Sequence, residues 1–298
     1  MMLYLLYRLG TFLALTLPVK TGYRIAVCVA DIFYSVSRAD REAVSDNLKV
    51  VTGAAAGEKG SERQCRAVFR NFAKYLADFF RFSEIGEEYV KRSVKLEGFE
   101  NVDKALGRGK GVIMLSAHIG NWELGGHVLS LLRQPMAAVV LTHQNKRIND
   151  FFTRQRTHGN LIPIEVGAGL RACYRLLKEN GLLALLGDRD FSKKGLYIDF
   201  FGRQTLIPKG PAVLSYRTGA AVVPCFMIRQ KDDTFRFIFK EPIIPDQSAE
   251  ETSAIEALAR KYTDSIEDCV RKHPDQWFVF RKVWNDDGKQ DLRPDTII

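Results

Sequence analysis

The stretch GVIMLSAHIGNWELGG, residues 111–126, changes character halfway. Its first seven residues are an apolar run headed by glycine, the pattern of a short buried strand. Then come a histidine, a flexible Gly120, an Asn121 suited to cap a helix, and Glu123. On one continuous helix His118 and Glu123 would point roughly 140° apart. With His118 in a turn after the strand and Glu123 in the first turn of a helix, they can meet at the carboxyl end of the strand. Open α/β sheets place their sites there.

In that arrangement Glu123 accepts the Nδ1–H of His118, and Nε2 becomes the base. No serine or cysteine stands between the pair, so the expected nucleophile is a substrate hydroxyl that loses its proton to His118 as it attacks an acyl carbon. Among five histidines and 35 acidic residues the spacing alone is a weak signal. The strand before it and the cap after it carry more weight. Trp122 suits either a channel wall or packing beneath the helix, and packing is the simpler expectation.

The surroundings repeat this alternation. Apolar runs at 137–142, 182–188, 220–228 and 235–240 read as further strands, and 123–133, 168–180, 208–219 and 252–272 as helices. The expected fold is therefore α/β, a mixed central sheet flanked by helices. Upstream, residues 38–60 are polar and end in a loop, GAAAGEKG. A helix is expected from Ser61, where 61–64 form a capping box and Val68, Phe69, Phe72, Leu76, Phe79 and Phe80 recur at helical spacing. Those phenylalanines read first as core. Residues 285–298 are expected to be loosely ordered.

The chain has 298 residues and a net charge of +9. Such a charge favours nucleic acid, anionic lipid or an acidic protein as partner. No nucleic-acid motif accompanies it. Five scattered cysteines without a C-x-x-C pair read as free thiols. Nine residues separate His118 from His127 and no third ligand is suitably spaced, so no metal site is expected. His143, His158 and His273 read as surface or structural.

Residues 1–37 are apolar but interrupted by Arg8, Pro18, Lys20 and Arg24. The longest uncharged piece, 9–19, is short of the ~20 residues of a spanning helix. No signal peptide is evident. Two short helices lying in a membrane interface are expected, with a single tilted span or a core hairpin as alternatives. The chain divides into this segment, 1–37, and a domain over 38–298.

Four stretches together resemble the lipid A biosynthesis lauroyl/myristoyl acyltransferases of the glycerolipid acyltransferase-like superfamily. SAHIGNWELGG is similar to their H-x4-D/E motif, and RINDFFTRQR to their second motif. GDRDF through FFGRQTLIPKGPAVLSYRTGA resembles the acidic and G-P-A block, and HPDQWFVFRKVW the C-terminal ending. The resemblance implies a PlsC-like fold at the cytoplasmic face of the inner membrane. It implies acyl transfer from acyl carrier protein or acyl-CoA to a glycolipid hydroxyl, with His118 as base, Glu123 as its partner and no cofactor. Arg154 or Arg156 would then face the oxyanion of the tetrahedral intermediate. Asp188, Arg189 and Asp190 would order the site or hold the acceptor headgroup. Many lipid A enzymes have Asp-Gln-Asp there. Asp-Arg-Asp also resembles the phosphatidylinositol mannoside acyltransferases, which leaves the acceptor open.

Overall fold

The computed structural model describes residues 2–53, 59–133, 135–166 and 169–284. The tail at 285–298 and most of the GAAAGEKG loop lie outside them. Helices α1 (Met2–Thr16) and α2 (Val19–Val36) break at Pro18, whose ring cannot continue a helix. They are followed by α3 (Arg38–Thr52), α4 (Lys59–Phe79) and α5 (Glu87–Ser93). Next come β1 (Val94–Glu97), α6 (Glu100–Leu106), β2 (Val112–Ser116), α7 (Trp122–Leu132), β3 (Met136–Val140), α8 (Lys146–Thr157), β4 (Ile162–Glu165) and α9 (Leu170–Lys178). The chain continues through β5 (Leu182–Leu186), β6 (Leu196–Phe200), β7 (Arg203–Ile207), α10 (Gly210–Thr218), β8 (Ala221–Arg229), β9 (Phe235–Phe239) and α11 (Glu251–Lys272).

Seven strands form one sheet in the order β1-β9-β8-β2-β5-β3-β4. Only β8 and β9 pair antiparallel, so the sheet is mixed and mostly parallel. Each strand presents alternate residues to opposite faces. From β2, Ile113 and Leu115 enter a core shared with α10 and α11, while Val112 and Met114 enter one shared with α7 and α8. β8 is buried along all nine residues, as a strand covered on both faces should be.

The runs in 111–117, 137–142, 182–188, 220–228 and 235–240 are strands, and the four helices between them fall where expected. Residues 38–52, read only as polar, form α3. Its Val44, Leu48 and Val51 are buried on one face, while charged residues cover the other. α4 begins at Lys59, ahead of the capping pattern at 61–64. Its Val68, Phe69 and Phe79, and Phe80 just beyond it, are core. The antiparallel hairpin β6–β7 turns at Phe201 and Gly202, with φ of +58° and +74°. Positive φ at both turn residues is what a two-residue hairpin loop requires.

No described helix is long and apolar enough to cross a membrane. The inner face of α2, with Tyr23, Ala30 and Tyr34, is buried against the domain. The outer faces leave Leu5, Leu9 and Phe12 of α1, and Val29, Ile32 and Val36 of α2, more than half exposed.

Candidate active site

β2 and β5 are parallel neighbours, with Ser116 opposite Leu186. Two residues beyond each strand end stand His118 and Asp188. The backbone N–H of Gly187 still donates to the Ser116 carbonyl at 2.8 Å, so the two strand ends are held side by side. The His118 Nδ1 lies 2.8 Å from Asp188 Oδ1, and the His118 backbone N–H donates to Oδ2 at 3.0 Å. Trp277 Nε1–H also donates to Oδ2, at 3.0 Å.

Burial alone would raise the Asp188 carboxyl. The charge and hydrogen bond of His118, with Arg189 and Trp277, outweigh it and hold the group below the usual carboxylate range. An ionised carboxylate can only accept, so the proton between the pair sits on Nδ1. Nε2 of the neutral ring is then the basic nitrogen.

This corrects the expected pairing. The Nδ1 bond assigned to Glu123 is made by Asp188. The carboxylate of Glu123, in the first turn of α7, is held instead by Arg156 of α8. Arg156 Nε donates to both oxygens at 3.0 and 3.1 Å, and Nη2 donates at 2.5 Å. Both side chains are nearly buried, at 12% and 10% exposure for Arg156 and Glu123. Burial opposes the charge on Arg156, but Glu123 beside it keeps the guanidinium firmly protonated. The physical reason is reach. Asp188 arrives on the neighbouring strand, whereas Glu123 leaves along a helix whose N-terminal end already favours its charge.

The turn between His118 and α7 is fixed by its backbone. Gly120 has φ of +62°, and a Cβ there would meet the Met227 carbonyl oxygen at 2.1 Å. Only glycine fits. Gly120 N–H donates to Gln276 O, Asn121 N–H to Met227 O, and Phe278 N–H to His118 O, at 2.9, 2.8 and 2.8 Å. Asn121 caps α7 as expected, its Oδ1 accepting from Leu124 N–H at 3.1 Å. The P-D-Q-W-F segment is therefore the strip to which the histidine turn is fastened.

Trp122 does not simply pack beneath its helix. It is half-buried, stacks on Tyr75 at 4.4 Å between centroids, and lies edge-on to the His118 ring at 5.2 Å. Burial, then the Glu123 charge, pushes the Tyr75 hydroxyl well above its ordinary range. His143, read as surface or structural, leans on Phe152 at 4.6 Å, and its pKa is lowered by burial and by the charge of Arg156. Phe152 and Phe151 in turn meet Tyr7 of α1, Phe79 of α4 and Phe80 just beyond it in an aromatic wall.

The remaining expected site residues are dispersed. Arg154 is exposed and turns back to the Asp150 carbonyl. With Lys146 and Arg147 it forms a solvated basic face. Arg189 is buried and donates to the Phe278 carbonyl. Asp190 folds the loop after it, accepting from the Ser192 hydroxyl and the N–H groups of Ser192, Lys194 and Gly195. Of the acidic motif, Asp188 bonds the His118 ring.

A buried histidine oriented by a carboxylate, at the carboxyl ends of parallel strands, can take a proton from a hydroxyl. The sequence pattern of the family described as bacterial lipid A biosynthesis acyltransferase matches residues 1–286. The chain belongs to this family and is an acyltransferase. Its relatives include the phosphatidylinositol mannoside acyltransferases of Mycobacterium tuberculosis and Mycolicibacterium smegmatis. Both are 24% identical, over 85% and 87% of this chain and 79% and 84% of their own lengths. The lipid A biosynthesis palmitoleoyltransferase of Escherichia coli is 28% identical over 63% of this chain and 60% of its own.

Proposed function

We propose that the protein moves a fatty acyl chain from a thioester of acyl carrier protein, or of CoA, to a hydroxyl of a lipid A precursor at a membrane surface. The observation that carries the chemistry is the His118–Asp188 pair. His118 Nε2 takes the proton of the acceptor hydroxyl as its oxygen attacks the thioester carbonyl. Asp188 steadies the imidazolium that forms. The tetrahedral oxyanion collapses, the C–S bond breaks, and the thiol leaves with the proton from Nε2. Arg156 spends Nε and Nη2 on Glu123, and Nη1 brings two further N–H donors for the oxyanion or an acidic headgroup.

Residues 1–37 are read as the membrane-facing element. The exposed apolar faces of α1 and α2 carry Arg8, Lys20 and Arg24. Their one acid, Asp31, is neutralised by Arg70 through two bonds of 2.8 Å. Apolar surface bordered by uncompensated positive charge suits an anionic lipid surface, such as the cytoplasmic face of the inner membrane.

A second acceptor is favoured by a specific observation. Asp188-Arg189-Asp190 resembles the phosphatidylinositol mannoside enzymes, and the named enzymes of that kind align over more of this chain than the E. coli lipid A enzyme does. The test is purified protein with acyl carrier protein and CoA thioesters and both acceptor classes, read by product mass. An acylated lipid A precursor supports the first reading, and product on the mannoside alone replaces it. Failure of every thioester with both acceptors removes both acceptor readings.

A further inference from the structure

A buried polar chain runs from α2 to the catalytic turn. The Tyr23 hydroxyl donates to Asp78 Oδ1 at 2.5 Å. Asp78 Oδ2 accepts from Asn121 Nδ2 at 2.7 Å and from the Arg229 guanidinium. Tyr23, Asp78, Asn121 and Arg229 are exposed by 8% or less. Lys74 and Arg229 both lie over the Tyr23 ring, at 5.3 and 4.9 Å from its centroid. Four elements thus meet at one carboxylate: α2, α4, the end of β8 and the cap of α7.

The acyl-transfer chemistry does not use this cluster. A carboxylate at 2% exposure is an expensive way to pack a helix, since an apolar side chain would hold α2 to α4 at lower cost. What the cluster adds is direction. Asn121 stands between His118 and Glu123, and its side chain caps α7 with one end while bonding Asp78 with the other. Tyr23 sits on the inner face of α2, whose outer face shows Val29, Ile32 and Val36.

We infer that Tyr23 is a positioning residue, through which the seating of α1 and α2 on a lipid surface sets the geometry of the His118–Glu123 turn. This regulation of the site rests on the proposed membrane-surface acyl transfer. Pressing α2 inward or letting it lift moves the Tyr23 hydroxyl against Asp78, and Asp78 carries the displacement to Asn121.

The test uses phosphatidylethanolamine–phosphatidylglycerol vesicles without acceptor, and decanoyl-CoA. Water attacks the thioester carbonyl, the C–S bond breaks, and the released thiol carries off the proton and is counted. Tryptophan emission is followed in parallel. All three tryptophans, Trp122, Trp277 and Trp284, lie outside α1 and α2, so an emission change on vesicle binding reports the domain rather than the docking helices.

The wild type should bind vesicles, change its emission, and hydrolyse thioester about tenfold faster, the worth of roughly one charge-assisted hydrogen bond. Tyr23→Phe should bind vesicles equally and show neither response. Asn121→Ser keeps a capping oxygen but cuts the link at its other end, and should lose both responses too. It decides the matter if Tyr23→Phe does not fold. Retention of both responses in these variants overturns the proposal. So does a wild type that fails to bind vesicles, or binds them without an emission change. A Tyr23-dependent emission change without any thioester hydrolysis sustains the coupling and removes the CoA thioester as donor instead.

Discussion

His118 and Asp188 stand at equal distances past the ends of adjacent parallel strands, and the 2.8 Å bond between their side chains follows from that register. Asp188→Asn offers no full charge to the imidazolium and upsets the tautomer. We expect kcat to fall about 10³–10⁴-fold with little change in acceptor KM, and His118→Ala to fall at least as far. Steady-state kinetics with a protein whose melting curve is intact provide the check. An Asp188→Asn enzyme within tenfold of wild type would remove the aspartate from this role.

Glu123 and Arg156 form the pair that pins the start of α7 to α8. Glu123→Gln leaves a guanidinium nearly buried without a counter-charge, at a cost of about 3–5 kcal/mol. Arg156→Lys exchanges a two-pronged grip for a point charge and should lower kcat with a smaller loss of stability. Urea unfolding of the two variants ranks them, and the opposite ranking contradicts the account.

Stability should decline as pH falls from about 7 to 5. Burial lowers His127, the most buried histidine, and also His143 and His273. Their folded values lie beneath the ordinary value of about 6.5, so the unfolded chain takes up protons first. Their contribution is complete above that ordinary value and is lost as pH drops toward the folded ones. Asp188 behaves alike at lower pH, its contribution being lost only well below about pH 4. His127 donates from Nε2 to the Ile85 carbonyl at 2.7 Å, so His127→Phe should lower Tm at pH 8 and flatten its pH slope. An unchanged slope places the proton uptake elsewhere.

Phe12 and Ile32 are 62% and 67% exposed on the outer faces of α1 and α2. Phe12→Glu with Ile32→Glu should leave Tm nearly unchanged, as exposed substitutions do, while releasing the protein from anionic vesicles in sedimentation. Continued binding would assign the lipid contact to another surface.

Much of the architecture was legible because buried parallel strands are continuous apolar runs and the helices between them are long. Several elements escaped, among them β4, the hairpin β6–β7 and α3. β4 is four residues of an edge strand containing Pro163, too short for a period. The hairpin β6–β7 lay inside a block matched as a motif, so its two-residue turn at Phe201 and Gly202 went unread. The helix α3 has buried residues that are few and spaced among charges.

In the site, His118, Gly120 and Asn121 could be read from one turn because their geometry is local. The partner of Nδ1 could not, since strand order decides which carboxylate is adjacent. Two apolar runs ending in Ser-Ala-His and Leu-Gly-Asp were the available signal, with the acid at the same offset as the base. Asp78 was hidden differently, as one acid in a helix whose phenylalanines dominate its pattern.

Gly120 N–H donates to the Gln276 carbonyl, the His118 carbonyl accepts from Phe278 N–H, and Asp188 accepts from the indole N–H of Trp277. During synthesis, residue 118 therefore leaves the ribosome well before the strip that fixes it. Nascent chains and fragments ending before 276 lack the partners that fix His118 and Asp188, however completely β2 and β5 have paired. On the proposed function, activity waits for residues 276–278, long after residues 1–37 have left the ribosome.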